Sequence, residues 1–364
     1  MAAYEIGITD INTQVRRLGY ASAILLILGS KTLSEQLLFD RLEKWSVKHE
    51  SDLTTYVNRQ GQIKATRGKS SAKNYTEFTS SLGLIARIAG AYRVTRFGKV
   101  LLHFLLTETK HNPFTLSFSE RFQYLYWLSV KDGDRLMTVV NLIATRGKST
   151  LKDLQDHFQR AYVEFLGLRI GTEDERSARE ILALRNSVSN DWKNPRRYAE
   201  SIVPPRINWL VDLGLANIPA SHHSLVSLTQ SGYDLLDRLP RLPNSELRYV
   251  TQSWIRKEFF SSAGQALTAQ RGERWKNAEV EEKVTRLVKL LTKAFTVLRG
   301  SPAPKVSLLP VLLFTAVSLA NEGIWIELDE LREQLQTMES SGLIPFDVRF
   351  SHRENESYLI SRLS

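Results

Sequence analysis

The stretch YTEFTSSLGLIARIAGAYRVTRFGKVLLHFL, Tyr75–Leu105, decides the fold. Tyr75, Phe78 and Leu82 recur at helical spacing, and the helix they predict stops at Gly83, where a left-handed C′ residue belongs. A short apolar strand follows, then a polar loop, then a returning strand ending on Thr95, whose hydroxyl suits the N-cap of a new helix. A second stretch, INWLVDLGLANIPASHHSLVSLTQSGYDLLDRL (Ile207–Leu239), repeats this order. Leu82-Gly83-Leu84 aligns with Leu213-Gly214-Leu215, Thr95-x-x-Gly98 with Thr229-x-x-Gly232, and Leu101-Leu102 with Leu235-Leu236. A weaker third copy closes the chain. Gly342-Leu343-Ile344 follows a helical run, a charged loop comes next, and Tyr358-Leu359-Ile360 returns, with no room for a final helix.

Helix, strand, loop, strand and helix in this order resemble the recognition helix and wing of the winged helix-turn-helix superfamily. The resemblance implies tandem winged helices, a mainly α fold with short β wings. The expected organisation is a winged-helix domain over 1–110, a second with a helical insertion over 111–240, and a helical C-terminal domain with a degenerate winged helix over 241–364. KHNPF (Lys110–Phe114) and LPRLPNS (Leu239–Ser245) supply the connectors. The layout is also similar to the DNA-recognition half of type IIS restriction endonucleases. That similarity implies a double-stranded-DNA partner, a separate protein partner such as a nuclease or ATPase, and, by analogy alone, a role in phage defence.

The rest of the chain reads as helix. Periodic runs span Ile11–Leu28, Leu33–Val47, Ser119–Ser129, Asp134–Ala144, Leu151–Leu166 and Glu173–Ser187. Others span Glu246–Phe260, Glu279–Leu298, Leu308–Asn321 and Asp329–Ser340. The apolar run Val306–Ala320 is short for a membrane span and contains Pro310, so a buried helix is expected and no membrane partner. The opening MAAYEIGITDINTQ lacks a basic segment followed by an apolar one, so a cytoplasmic, nucleoid-associated protein is expected.

With 42% hydrophobic and 24% charged residues, the 364-residue chain has the composition of a folded protein. Lys and Arg number 49 against 39 Asp and Glu, a net charge of +10 that suits a polyanion, nucleic acid first, and equally a plain solvated surface. The chain has no cysteine, which removes disulfides, thiolate catalysis and Cys-ligated metals.

The hexapeptide ATRGKS occurs twice, at Ala65–Ser70 and Ala144–Ser149. Gly-Lys-Ser ends a P-loop, but a P-loop needs a glycine five positions earlier, where this chain has Ile63 and Leu142. Each copy reads instead as a basic turn feeding a helix N-terminus, with Ser70 or Ser71 capping the first helix and Thr150, backed by Asp153, the second. Free N–H groups and the helix dipole at such a terminus favour an anion. Arg67, Lys69 and Lys73 accompany the first copy; Arg146, Lys148 and Lys152 accompany the second.

In a winged helix the helix before the wing enters the major groove and the wing meets the backbone. In the first copy that helix covers about Ser71–Ser81, leaving Lys73, Asn74, Thr76 and Thr79 outward, and the wing adds Arg87, Arg93 and Arg96. In the second it covers about Pro205–Leu213, with Pro205 near its start and Arg206 and Asn208 outward. Upstream, NDWKNPRRYAES adds Lys193, Arg196 and Arg197 around Trp192 and Tyr198, and the wing adds His222 and His223. The third helix carries Asp329, Glu330, Glu333 and Glu339, which repel phosphate, so that domain is expected to dock protein, with AQRGERWKN (Ala269–Asn277) as its basic segment. No HExxH or GxSxG motif occurs, and no cofactor or catalytic residue is expected. Glu281-Glu282-Lys283 has the letters of a PD-(D/E)xK nuclease but falls in a helical run. A docking scaffold and a cryptic nuclease are the alternative readings.

Overall fold

The computed structural model describes residues 11, 15–55, 61–64, 68–219, 225–268, 273–275, 280–300, 305–351 and 357–362. The chain is mainly helical, with small antiparallel sheets between the helices. The first unit runs α1 (Gly19–Leu28), β1 (Leu33–Ser34), α2 (Glu35–Lys48), α3 (Ser70–Ser81), β2 (Ile85–Ile88), β3 (Ala91–Val94) and α4 (Arg96–Thr107). The second runs α5 (Phe118–Arg146), β4 (Ser149–Thr150), α6 (Leu151–Ile170), α7 (Glu175–Asn190), α8 (Pro195–Asp212), β5 (Ala216–Asn217), β6 (Leu225–Leu228) and α9 (Gln230–Asp237). After α10 (Gln252–Lys257), α11 (Phe259–Leu267) and β7 (Glu273–Arg274), the third runs α12 (Val280–Leu298), β8 (Lys305–Ser307), α13 (Leu308–Asn321), β9 (Ile324–Trp325), α14 (Leu328–Ser340), β10 (Phe346–Arg349) and β11 (Tyr358–Ser361).

Beside a two-stranded parallel pairing of β7 with β9, three three-stranded antiparallel sheets share one strand order. The last strand lies between the other two in β1-β3-β2, in β4-β6-β5 and in β8-β11-β10. The third copy is therefore fuller than the sequence suggests: α12, β8 and α13 precede its helix and hairpin. What closes the first two units is the aligned Leu-Gly-Leu…Thr-x-x-Gly pattern. Gly83 and Gly214, both at φ 77°, end α3 and α8 in the left-handed region. The Thr95 and Thr229 amides then bond the Leu84 and Leu215 carbonyls at 3.0 Å, and each threonine oxygen accepts from the amide of Gly98 or Gly232. Both hydroxyls in turn donate to the carbonyls of Gly83 and Gly214, at 2.6 and 2.7 Å. The motif is a latch between strand and helix.

Several elements depart from the sequence reading. In the run read from Ile11 the helix starts at Gly19, and polar groups of described residues before it are taken by other elements. The Ile11 amide donates to Asp132, the Leu18 amide to Asp212, and the Val15 carbonyl accepts from the Trp209 indole. The two runs between Ser119 and Ala144 form one long helix, α5, broken only at Asp132 (φ −144°). Glu246–Phe260 is not one helix, since α10 starts at Gln252 and ends at Glu258 (φ −143°). Most consequentially, α8 starts at Pro195 and not near Pro205, with Pro204 and Pro205 inside it. Those prolines leave the Glu200 and Ser201 carbonyls without helical donors, which is tolerable because both residues reach solvent.

One hydrophobic core, from Ile11 to Leu359, runs through all three units. At the junction of the first two, Phe78 stacks on Trp209 with ring centroids 5.1 Å apart. Two buried ion pairs lie beside it: Arg206 with Asp132 at 2.5 Å and Arg17 with Asp212 at 3.2 Å. α13 is buried over most of its length, and no helix among the described residues is long and apolar enough to cross a membrane.

Burial pushes the Asp212 carboxyl up to about 6 from 3.8, against the opposing pull of Arg17 and the Leu18 amide. A raised carboxyl contributes stability that is complete below the unfolded value and lost as pH rises through the folded one. From pH 3.5 to 7 the stability of the wild type should therefore fall by about 3 kcal/mol relative to Asp212→Asn, at 1.36 kcal/mol per unit. Urea unfolding of both proteins across that range checks this, and a constant difference would contradict it.

Candidate nucleic-acid interface

The exposed face of α3 is narrow. Lys73, Asn74, Glu77 and Ser81 reach solvent, while Ala72, Tyr75, Thr76, Phe78 and Thr79 are buried. Thr76 is thus corrected from a surface candidate to a core residue, as is Thr79: their hydroxyls donate to the Ala72 and Tyr75 carbonyls at 2.9 and 2.7 Å. α3 is packed from both sides, so the helical stripe through Tyr75 and Phe78 widens by one position on each edge. Neither Ser70 nor Ser71 caps the helix. The N-cap is Lys69, left-handed at φ 47° with no side-chain cap, and its ammonium pairs with Asp40.

In α8 the correction is larger. Arg206 and Asn208 were expected outward, yet both are buried, Arg206 fully so. The Arg206 guanidinium donates to Asp132, to the Ile11 carbonyl at 3.0 Å and to the Ile202 carbonyl at 2.9 Å, and lies over the Trp209 ring. Asn208 donates back to the Pro204 carbonyl at 2.7 Å. The half of α8 before Gly214 is therefore core and presents no reading face. Its first two turns stay exposed, starting at Asn194, whose side chain accepts from the Arg197 amide.

Those turns face the open side of α3. An open groove of about 800 Å³ is lined from α3 by Asn74, Glu77 and Ser81, and from the start of α8 and the residues before it by Lys193, Asn194, Arg197, Tyr198 and Glu200. Candidates more than a hundred positions apart in sequence thus share one surface. Neither Lys193 nor Arg197 has a carboxylate partner among the described residues. Trp192 and Tyr198 stack at 4.7 Å and 15°, fixing the aromatic edge. Two carboxylates temper the charge: Glu77 sits 3.8 Å from Lys73, and Glu200 sits 3.4 Å from Arg196, which also reaches Asp156 at 3.9 Å. Exposed cations, amides and hydroxyls along an open trough match the donors that grip a sugar-phosphate backbone.

The other candidates lie elsewhere. Arg87 is held by Glu35 at 2.9 Å beside the Tyr92 ring. Arg93 and Arg96 line a separate groove against the third unit. Arg146 pairs with Asp153 at 3.1 Å in the turn before β4, Lys148 beside it is exposed, and Thr150 caps α6 as expected. The two ATRGKS copies are not equivalent: the first precedes α3, the second ends α5. Arg67, His222 and His223 lie outside the described residues, as does most of AQRGERWKN. Glu281 and Glu282 sit in the first turn of α12, where no nuclease strand exists. No group of three or more metal-ligating side chains lies together among the described residues. No family model, curated protein or solved structure matches the chain.

Proposed function

We propose that this chain binds double-stranded DNA through tandem winged-helix units, as the recognition or adaptor subunit beside a separate catalytic protein such as a nuclease or ATPase. The observation that carries this reading is the convergence of the α3 face and the α8 N-terminus on one groove with two cations, Lys193 and Arg197, that have no carboxylate partner among the described residues. The shared strand order of the three sheets supports the winged-helix assignment. In this reading α3 enters the duplex groove with Lys73 and Asn74, and the α8 turns meet the adjacent backbone. A role in phage defence fits such a subunit by analogy with restriction systems.

Titration of a fluorescent 20-base-pair duplex tests it (a probe length of about two helical turns). Lys193→Glu with Arg197→Glu should raise Kd about tenfold or more at low salt. Arg176→Ala with Arg179→Ala on α7, whose arginines pair with Glu180 and Glu175, should leave Kd within about threefold. Equal affinity for all three proteins would remove the groove from the account.

A second reading, as a protein-docking scaffold, is favoured by α8 and α14. The second half of α8 is buried, and the exposed residues of α14 are Glu333, Gln336, Thr337 and Ser340, with no cation among them. The buried half of α8 and the exposed face of α14 offer no cation to phosphate, and on this reading α14 contacts protein.

A further inference from the structure

A second groove, about 780 Å³, opens where the first unit meets the third. Lys31, from the turn before β1, Arg93 of β3, and Arg96 and Lys99 of α4 line it on one side; Gly300 and Ser307 line it on the other. No described carboxylate lines it, and none of the four cations has a carboxylate partner among the described residues. Arg96 reaches across to donate to the Ser307 hydroxyl. The positive charge continues along α12 and just past its end, where Lys293 and Arg299 are exposed. Lys293 stands near enough to α4 that, after burial, its charge is the further cause holding the His103 imidazole below its ordinary range.

Like charges gathered without counter-charge repel one another, and a polyanion laid along the seam would relieve that repulsion. The shape selects the anion. The groove is open, Lys31, Arg93 and Arg96 are exposed and Lys99 half-buried, and no fully buried polar side chain among the described residues lines it to surround a compact ligand. Exposed cations spread along an open trough follow an extended phosphate chain.

We infer that the seam between α4 and the β8 edge is a second nucleic-acid backbone site, which the first and third units build together. It rests on the reading of this chain as a DNA binder, and it gives the third unit a part in holding the same polyanion that the α3–α8 groove engages. The third unit then acts through its β8 edge and α12, while α14 stays free for protein.

The test uses the full chain and a fluorescent 40-base-pair duplex, longer than either groove. Lys31→Glu with Arg93→Glu, both exposed, should raise Kd about tenfold at low salt and reduce the salt slope by about two. Combined with Lys193→Glu and Arg197→Glu, the losses should multiply. Should the double variant melt below the wild type, acetylation footprinting of the wild type replaces it: Lys31 and Lys99 should be protected by duplex. Wild-type affinity in the Lys31/Arg93 variant, or no protection of Lys31 and Lys99, overturns the inference and leaves the α3–α8 reading standing if Lys193/Arg197 still weakens binding. Absence of duplex binding by the wild type overturns both, and so does binding only to vesicles of anionic lipid.

Discussion

Arg206→Ala should lower the stability of the chain by about 3–5 kcal/mol, the cost of removing one partner of a buried ion pair. Arg206 is fully buried, and its guanidinium joins three elements: Asp132 at the break in α5, the Ile11 carbonyl, and the Ile202 carbonyl of its own helix. Substitution strips the charge partner from Asp132 and removes a donor from the Ile11 carbonyl at one stroke. Urea unfolding reads the loss, and faster hydrogen exchange at the Ile11 and Leu18 amides, which bond Asp132 and Asp212, locates it. Arg206→Met combined with Asp132→Asn should recover part of the loss, because the buried carboxylate that Arg206 paired with is then neutral. A loss under 1 kcal/mol in Arg206→Ala would mean that this pair is dispensable to the junction.

Gly98→Ala and Gly232→Ala should each cost about 3 kcal/mol, at the upper end of overpacking. In a free helix the change would stabilise by about 1 kcal/mol. Here a Cβ would stand 2.0 Å from the Leu84 carbonyl oxygen and 2.1 Å from that of Leu215, and both carbonyls are backbone held by the Thr95 and Thr229 amides. Strand and helix must part to admit a methyl group. Gly68, with open space around it, is the control, and Gly68→Ala should change stability by less than about 1 kcal/mol. Thermal or urea melts compare the three variants. Similar small effects at all three would leave the latch without energetic weight.

Local signals were legible where their partners lie within a few residues. α13 runs over Leu308–Asn321, as its periodicity predicts, and Thr95, Thr150 and Thr229 cap the helices they precede. The C′ glycines at 83 and 214 take the left-handed conformation their position requires. Long-range pairing was not legible. Arg206 looks outward on a helical wheel because its partner Asp132 is 74 residues away, and Thr76 looks outward until α3 is covered on both sides. The start of α8 was hidden by reading Pro205 as a helix start when Pro195, after the capping Asn194, holds that place. Asn74 is legible from its place on the helix face, and Lys193, Arg197 and Tyr198 from charge and aromatic content; that Asn74 and Arg197 line one groove is tertiary. Lys31 and Lys99 carry no sequence signal, since only the packing of the third unit on the first brings them to one seam.

The most direct measurement of the central claim is duplex affinity as a function of salt for the wild type and for Lys193→Glu with Arg197→Glu. Each neutralised phosphate contributes about −0.9 to the slope of log K against log salt. The account predicts measurable duplex binding at low salt, a steep negative slope in the wild type, and a slope shallower by about two in the variant. No duplex binding at low salt, or one slope shared by both proteins, would contradict it.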